Sequence, residues 1–337
     1  MVNFNNVEIV RAIMHQVSAK VADHPATVTP SNRLLLLDDD SKKIIKDRMK
    51  DAFGRQSKSF ELEIENDGTN SCFAVVKSLR QTCEDDESFI ALSVNIAQAL
   101  ADSQRQSRIP GGFLLVVHCQ YEGKPLFVLI KAEPHEALGV SEMNVQSIKN
   151  IILSPEQKLY KAVYFEQRRE AALDEELGKE DYRVVLFDSN VNASNSIAQY
   201  FYQDFLGLTI SSNSKLQTAL FYQKMNEKIW TELSGMSAVN ASDALRVVIL
   251  NNDNVTINPH DVINSVIPQE KRDVFLDKII DEFPQSFSRD TSLIDVRLEK
   301  KTITLSENVR IVAPSQFFAD NVVVVEEEEE FVIRIRR

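Results

Sequence analysis

Six cations fall close together near the N-terminus: Lys42, Lys43, Lys46, Lys50, Arg55 and Lys58. Lys42, Lys46 and Lys50 are four residues apart, the spacing that lines side chains up along one side of a helix. Such a row can lie along the phosphates of a nucleic acid, where each neutralised phosphate releases bound counterions. The same residues also describe a solvated helix face beside three acids, Asp38, Asp39 and Asp40. Metal chemistry finds little to stand on. His15, His24, His118, His135 and His260 make no H-E-x-x-H, and Cys72, Cys83 and Cys119 make no C-x-x-C. His118 and Cys119 are strand neighbours and point to opposite faces, so His118 reads as a satisfied core histidine. Asp188 ends an apolar strand, a common place for a catalytic acid. A metal-assisted nuclease would also need a second carboxylate and a lysine on a neighbouring strand. Glu122 and Lys124 have those types only within a turn, so Asp188 reads as the N-terminal cap of the next segment. No phosphate-binding G-x-x-x-x-G-K-[ST], no G-x-S-x-G and no G-x-G-x-x-G occurs. The expectation is a non-enzymatic chain with no catalytic residue, no metal and no cofactor.

The elements that must position these cations follow from patterning. Phe113 to Tyr121 and Leu126 to Ala132 are near-continuous apolar runs joined through Glu122, Gly123 and Lys124. Strands of that kind are covered on both faces, so this hairpin should be the centre of a sheet packed on both sides. Arg33 to Leu37 reads as a short buried strand. Asp38–Asp40 then cap a helix from about Ser41 to Phe53, because carboxylates suit the positive end of a helix dipole. Its inner face is Ile45, Met49, Ala52 and Phe53. Val7 to Lys20 has mixed periodicity, compatible with strand then helix or with one helix. Ser88 to Gln104 is a helix with Phe89, Leu92, Ile96, Ala99 and Leu100 in one stripe. Leu159 to Phe165 and Tyr182 to Phe187 are further strands. Between them Glu166 to Asp181 is rich in charge and poor in apolar residues, the natural connection between two domains.

Beyond Asp188 the pattern turns helical. Asn192 or Ser194 caps a helix to Leu206, stopped by Gly207. Ser212 or Ser214 opens another to about Leu233, with Tyr222, Met225, Ile229 and Leu233 inward, and Ser242 starts a third. Pro259 and Pro268 each mark a short helix. In order, these two helices and a hairpin after them resemble a winged helix, with Lys271 and Arg272 at the start of the second, although Asp273, Asp277 and Asp281 share that helix. The tail is strand after strand: 301–305, 309–312, 322–325 and 331–335. Glu326–Glu330 form a charged hairpin tip that discourages edge pairing, and Arg334, Arg336 and Arg337 either bind phosphate or, as the better reading, balance that tip. The fold class expected is α+β in two domains. Residues 1–181 form a sheet-centred α+β domain, and 182–337 a helical domain ending in a small antiparallel β meander.

Composition bounds the function. The 337 residues are 43% hydrophobic and 26% charged, an ordinary globular balance with room for two domains. No apolar run approaches the ~20 residues of a membrane span, and the start shows no signal-peptide pattern. Three cysteines without paired spacing fit a reduced, cytoplasmic compartment. The net charge of −12 speaks against whole-surface attraction to nucleic acid. Residues 1–60 alone reverse it, with ten Lys and Arg against seven Asp and Glu.

Three landmarks then resemble one family. Asp86-Glu-Ser-Phe-Ile90, in a helix, is followed by Pro110-Gly-Gly-Phe-Leu-Leu-Val-Val-His-Cys-Gln-Tyr121 and a second apolar strand. Val184-Val-Leu-Phe-Asp188-Ser precedes Ala198-Gln-Tyr-Phe-Tyr-Gln-Asp-Phe-Leu-Gly207. Asp281-Glu-Phe-Pro284 precedes a terminal β region. Together with chain length they resemble bacterial nucleoid-associated proteins of the NdpA/YejK type over nearly the whole chain. The resemblance implies a cytoplasmic, nucleoid-associated protein that binds double-stranded DNA, as a homodimer. It carries no motif that assigns a catalytic or DNA-contacting residue here, so the six cations remain the candidate contacts. The glutamate run departs from a simple DNA-coating protein, and acidic surface is suited to a protein partner. The alternative expectation is therefore a protein–protein adaptor, or a nucleic-acid sensor of a phage-defence or mobile-element system.

Overall fold

The computed structural model describes residues 2–55, 58–141, 144–151, 159–191, 197–251, 255–306, 309–327 and 330–336. They form two compact units, Met1–Asn190 with Ile197–Ser212, and Val191–Ser196 with Asn213–Arg337.

The first unit is built on an eight-stranded antiparallel sheet. Its strands are β1 (Glu8–Val17), β2 (Val28–Thr29), β3 (Ser59–Ile64), β4 (Gly112–Tyr121) and β5 (Lys124–Ala132), then β8 (Lys161–Gln167), β9 (Tyr182–Asp188) and β10 (Leu208–Thr209). They lie side by side in the order β10-β3-β9-β8-β5-β4-β1-β2. Between β5 and β8 a separate hairpin, β6 (His135–Ser141) with β7 (Asn144–Ile151), stands outside the sheet. Three helices belong to this unit: α1 (Asp39–Phe53), α2 (Cys72–Gln81) and α3 (Asp86–Ser103).

The apolar hairpin is central, and both its faces are covered. Leu115, Val117, Cys119, Leu126, Val128 and Ile130 share a core with Ile45, Met49, Ala52 and Phe53 of α1. The alternate residues face the other way, where the His118 ring stacks on Phe127 with centroids 5.1 Å apart and lies 6.4 Å from Phe89 of α3. Burying each such Leu, Val or Phe contributes roughly 1.5–3 kcal/mol. That gain is unavailable to an isolated hairpin, so the runs are stable as strands only between two helical layers. The hairpin turns through Glu122 and Gly123, both with positive φ (51° and 75°), as the right-handed twist of paired strands requires of a two-residue loop. Gly111 and Gly112 precede β4 because backbones converge there. A Cβ on Gly112 would collide with the Ala132 carbonyl, and one on Gly111 would lie 2.6 Å from the Ala19 nitrogen.

The fold corrects several expectations. Val7 to Lys20 is mostly one strand, β1. Arg33 to Leu37 forms no strand. Leu35 donates its N–H to Ala12 O at 2.8 Å, and Leu35 and Leu37 pack onto the core beneath α1. Leu36 is fully exposed, because an extended chain sends alternate side chains to opposite sides. The charged stretch after Glu166 is not a connection between domains. Its backbone is gathered around the buried side chain of Arg80 on α2, whose five N–H groups reach Gln167 Oε1 and the carbonyls of Ala171, Ala172, Leu173 and Glu175 at 2.6–3.1 Å. β9 pairs with β8 on one side and β3 on the other. A boundary after Asp181 would therefore divide one sheet, and the units separate around 190 and 212 instead.

Tyr200–Phe205 is one turn of π-helix, ended by Gly207 at φ +65°, whose carbonyl accepts the N–H groups of Glu65 and Asn66 at 2.9 Å. The proposed caps of this helix, Asn192 and Ser194, lie outside the described residues.

The second unit holds α4 (Ser214–Glu232), α5 (Gly235–Leu250), α6 (Pro259–Val266), α7 (Arg272–Glu282) and the short α8 (Asp295–Leu298). Asn213 caps α4 by accepting the Leu216 N–H, and Asn258 caps α6 by accepting that of His260. Ser242 lies inside α5 rather than at its start, its hydroxyl bonded to Asn226 Oδ1 at 2.8 Å. No hairpin directly follows α7, as a winged helix would need. β11 (Thr256–Ile257) and β12 (Phe287–Ser288) bracket α6 and α7 and pair with each other, and Arg272 is turned back onto Ile267 O at 3.0 Å. The tail is two separate hairpins, β13 (Lys300–Ser306) with β14 (Val309–Pro314) and β15 (Val322–Glu327) with β16 (Glu330–Ile335). Helix α9 (Ser315–Asn321) lies between them, and Val239, Ile303 and Phe318 form their shared core. Residues 328 and 329 of the glutamate run, and Arg337, lie outside the described residues.

Candidate nucleic-acid interface and a buried lysine row

Helix α1 begins as its sequence requires. Asp38 Oδ1 accepts the Ser41 N–H at 2.8 Å, which satisfies one of the amides a helix start leaves free. Burial of Ile45, Met49, Ala52 and Phe53 fixes which face turns outward. Lys42, Lys43, Lys46 and Lys50 then line a groove of about 410 Å³ between α1 and the N-terminal segment of Phe4, Asn5, Val7, Glu8 and Ile9, with Asp39 and Asp47 also on its wall. Lys46 Nζ donates to Asn5 O at 3.5 Å and Lys50 Nζ to Asn5 Oδ1 at 3.1 Å. Among the described residues neither these four lysines nor Arg55 forms an ion pair. Arginines elsewhere in the same unit behave differently: Arg168 and Arg183 both hold Glu61, and Arg169 holds Glu175 and Asp181. Lys58 is set apart from the other five candidates. Its ammonium donates to Ser189 O at 2.6 Å and ties the start of β3 to the end of β9.

On the opposite face of the sheet, three adjacent strands place Lys131 (β5), Lys161 (β8) and Asp188 (β9) side by side, Lys131 paired in register with Lys161 and Lys161 with Asp188. All three are buried. Lys161 Nζ contacts Asp188 Oδ2 at 2.8 Å. The same carboxylate accepts the Asn190 N–H on Oδ1 at 3.0 Å and the Ala198 N–H on Oδ2 at 3.1 Å. Asp188 thus caps the chain just after β9, as its sequence position suggested, and also answers a buried lysine. Lys131 donates to Pro110 O at 2.8 Å, and its pKa is lowered to about 8, chiefly by burial. Tyr200 of the π-helix sets its ring 5.9 Å from both ammonium groups, and burial pushes its hydroxyl pKa well up. Sequence reasoning missed this row. Its signal was a lysine in each of two otherwise apolar strands, a position lysine rarely occupies without a partner.

Breaking the Lys161–Asp188 pair has a large expected effect. Asp188→Asn leaves a buried ammonium without counter-charge and should lower unfolding free energy by about 3–5 kcal/mol, read from urea denaturation. The double variant Lys161→Met, Asp188→Asn should recover a large part of that loss.

The other residues weighed for chemistry stay apart. Lys124 at the hairpin turn donates to Arg168 O at 3.2 Å, and no group of three His, Cys, Asp or Glu able to hold a metal occurs among the described residues. Cys72, Cys83 and Cys119 are free and buried, and burial pushes the thiols of Cys72 and Cys119 up to about 12. His15 is the satisfied core histidine. Its Nδ1 accepts the Ser31 N–H at 3.1 Å, and its Nε2 lies 2.8 Å from Ser93 Oγ. His118 is buried with neither ring nitrogen hydrogen-bonded, contrary to the expectation for it. No helix among the described residues is long and apolar enough to cross a membrane.

A two-sided antiparallel sheet with a lysine-bearing helix on its surface defines the class, an α+β protein without a recognisable catalytic constellation among its described residues. The chain belongs to the bacterial family described as nucleoid-associated protein YejK, whose model matches residues 13–334. Proteins of that family are generally non-enzymatic and reside in the cytoplasm at the nucleoid. Curated proteins contain no significant match to the chain.

Proposed function

We propose that this protein is a non-enzymatic, sequence-tolerant binder of double-stranded DNA that acts through phosphate contacts from Lys42, Lys43, Lys46, Lys50 and Arg55. The observation that carries the reading is the absence of ion pairs on these cations among the described residues, while arginines elsewhere in the same unit are paired. An ammonium in water with no carboxylate in contact meets a phosphate without first breaking a salt bridge. Asp38–Asp40 sit at one end of α1, so the contacts gather toward Lys46, Lys50 and Arg55 at the other. Asp39, Asp47 and Glu8 share the groove and keep the affinity modest. A homodimer presenting two such helices to one duplex would raise the avidity without any new kind of contact.

Fluorescence anisotropy of a labelled random duplex across a salt series tests this reading. Affinity should fall steeply with salt, with a logarithmic slope near −0.9 for each phosphate neutralised. Lys42→Glu, Lys46→Glu and Lys50→Glu together should flatten that slope by about 3 units and lower affinity by on the order of 100-fold at low salt. No binding by the native chain at low salt would overturn the proposal. It would favour the protein-adaptor reading, for which the acidic net charge of −12 speaks.

A further inference from the structure

The last hairpin is charged unevenly along its length. Its glutamates occupy 326–330, and its arginines, Arg334, Arg336 and Arg337, fall at the opposite end. Register keeps the two groups apart: Glu327 pairs with Glu330, like charge against like, whereas Arg334 stands opposite Val323. An extended chain runs about 20 Å from Glu330 to Arg336. β15 lies against α5 and α9. Among the described residues β16 pairs with β15 alone, so its other edge has no strand beside it. The Arg336 N–H donates to Asn321 O at 2.8 Å, toward the β15 side. Main-chain groups alternate in direction along an antiparallel strand, so those of Phe331, Ile333 and Ile335 point outward. Ile335 is 55% exposed, and Arg336 is exposed and forms no ion pair among the described residues.

We propose that β16 is a self-association strand, by which two copies of this chain pair β16 to β16 antiparallel about a two-fold axis, with Ile333 opposite its own counterpart. In that register Glu330 of each copy lies opposite Arg336 of the other, and Ile335 opposite Phe331, each contact being made twice. The outward main-chain groups of Phe331, Ile333 and Ile335 close the ladder and join the two hairpins into one four-stranded sheet. A parallel pairing would set glutamate on glutamate and arginine on arginine. A slip of two residues toward the tip would set Ile335 against a glutamate. The glutamate run thus bars edge pairing in general and permits it with a reversed copy of itself. A strand pair of this length falls short of the ~800 Å² per partner of a standard interface, so the dimer should be weak, with a Kd on the order of 10 µM. The homodimer of the DNA reading gains its contact here, but the association needs no DNA, so the two proposals fail in different measurements.

Sedimentation velocity of the full chain without DNA, at low salt and from well below to well above that Kd, is the test. The sedimentation coefficient should rise with concentration. Arg336→Glu and Glu330→Arg each put like charges at both contacts and should weaken dimerisation at least about tenfold. An equimolar mixture of these two variants restores both opposite pairs and should form a heterodimer about as tight as the native dimer. The double variant Glu330→Arg, Arg336→Glu should recover the homodimer. The Lys42→Glu, Lys46→Glu, Lys50→Glu variant should dimerise as the native chain does. A chain that stays monomeric throughout overturns the proposal, as does a dimer whose Kd is unchanged in both single variants. A mixture or a double variant that associates no better than the single variants also overturns it, and so does a dimer lost only with the α1 substitutions.

Discussion

Arg80→Met should lower the unfolding free energy by about 3–5 kcal/mol, through the carbonyls it leaves without donors, and open the segment from Arg168 to Gly178 to proteolysis. Each of the five N–H donors of a guanidinium is used at Arg80, one on Gln167 Oε1 and four on main-chain carbonyls of residues 171–175. Methionine fills similar space but offers no donor, so those carbonyls must turn to water and the loop must lift away from α2. The pairs of Arg169 with Glu175 and Asp181 are too weak to hold it alone, because ion pairs at the surface gain little. Lysine is a poor substitute, since a single ammonium cannot reproduce the planar fork. Limited trypsinolysis with urea denaturation checks both effects. A native cleavage pattern in Arg80→Met, with unchanged stability, would show that the loop is held by something else.

Stability should fall as the medium is acidified from about pH 6.5 to pH 4, and His15 and His118 are the reason. Burial lowers the pKa of each to about 4, and the nearby Arg11 adds to the effect on His118. The unfolded chain, with imidazoles near 6.5, therefore takes up protons in this window before the folded chain does. The stabilisation is complete above the unfolded pKa and is lost as pH falls toward the folded one. Each imidazole contributes about 3 kcal/mol across the window. His118→Phe separates the two. It preserves the stack on Phe127 and removes two ring nitrogens that have no hydrogen-bond partner, so it should stabilise the chain by about 1–3 kcal/mol at neutral pH and remove about half of the acid loss. A stability profile that is flat from pH 7 to 4 in the native chain would refute the assignment of both histidines as neutral core groups. The measurement is urea denaturation at half-unit pH intervals.

Local rules were enough for much of this molecule. The central hairpin, the Asp38 cap with the inner face of α1, the stop at Gly207 and the terminal strands all follow from side-chain period, capping chemistry and turn residues acting within about ten positions. The Arg33–Leu37 run shows where such rules fail. Four leucines in a row look buried, but how many are buried depends on what lies on each side, and Leu36 has solvent there. The charged stretch after Glu166 misled for the same reason. Its carbonyls are held by Arg80, about ninety residues earlier in the chain.

The candidate sites divide in the same way. The lysine row on α1 is legible because helical spacing is a property of adjacent residues. That Lys58 is tied to Ser189 while its neighbours form no ion pair is a matter of strand β9 lying beside β3. Lys131, Lys161 and Asp188 are separated by 30 and 27 residues, and no local pattern links them. They meet because antiparallel register brings three strands side by side. The sequence by itself determined the α+β class, the element faces and the family resemblance, since these depend on short-range periodicity and composition. Strand order, which charges are neutralised and which buried groups gather were decided only by tertiary structure, because burial and pairing are properties of neighbours in space.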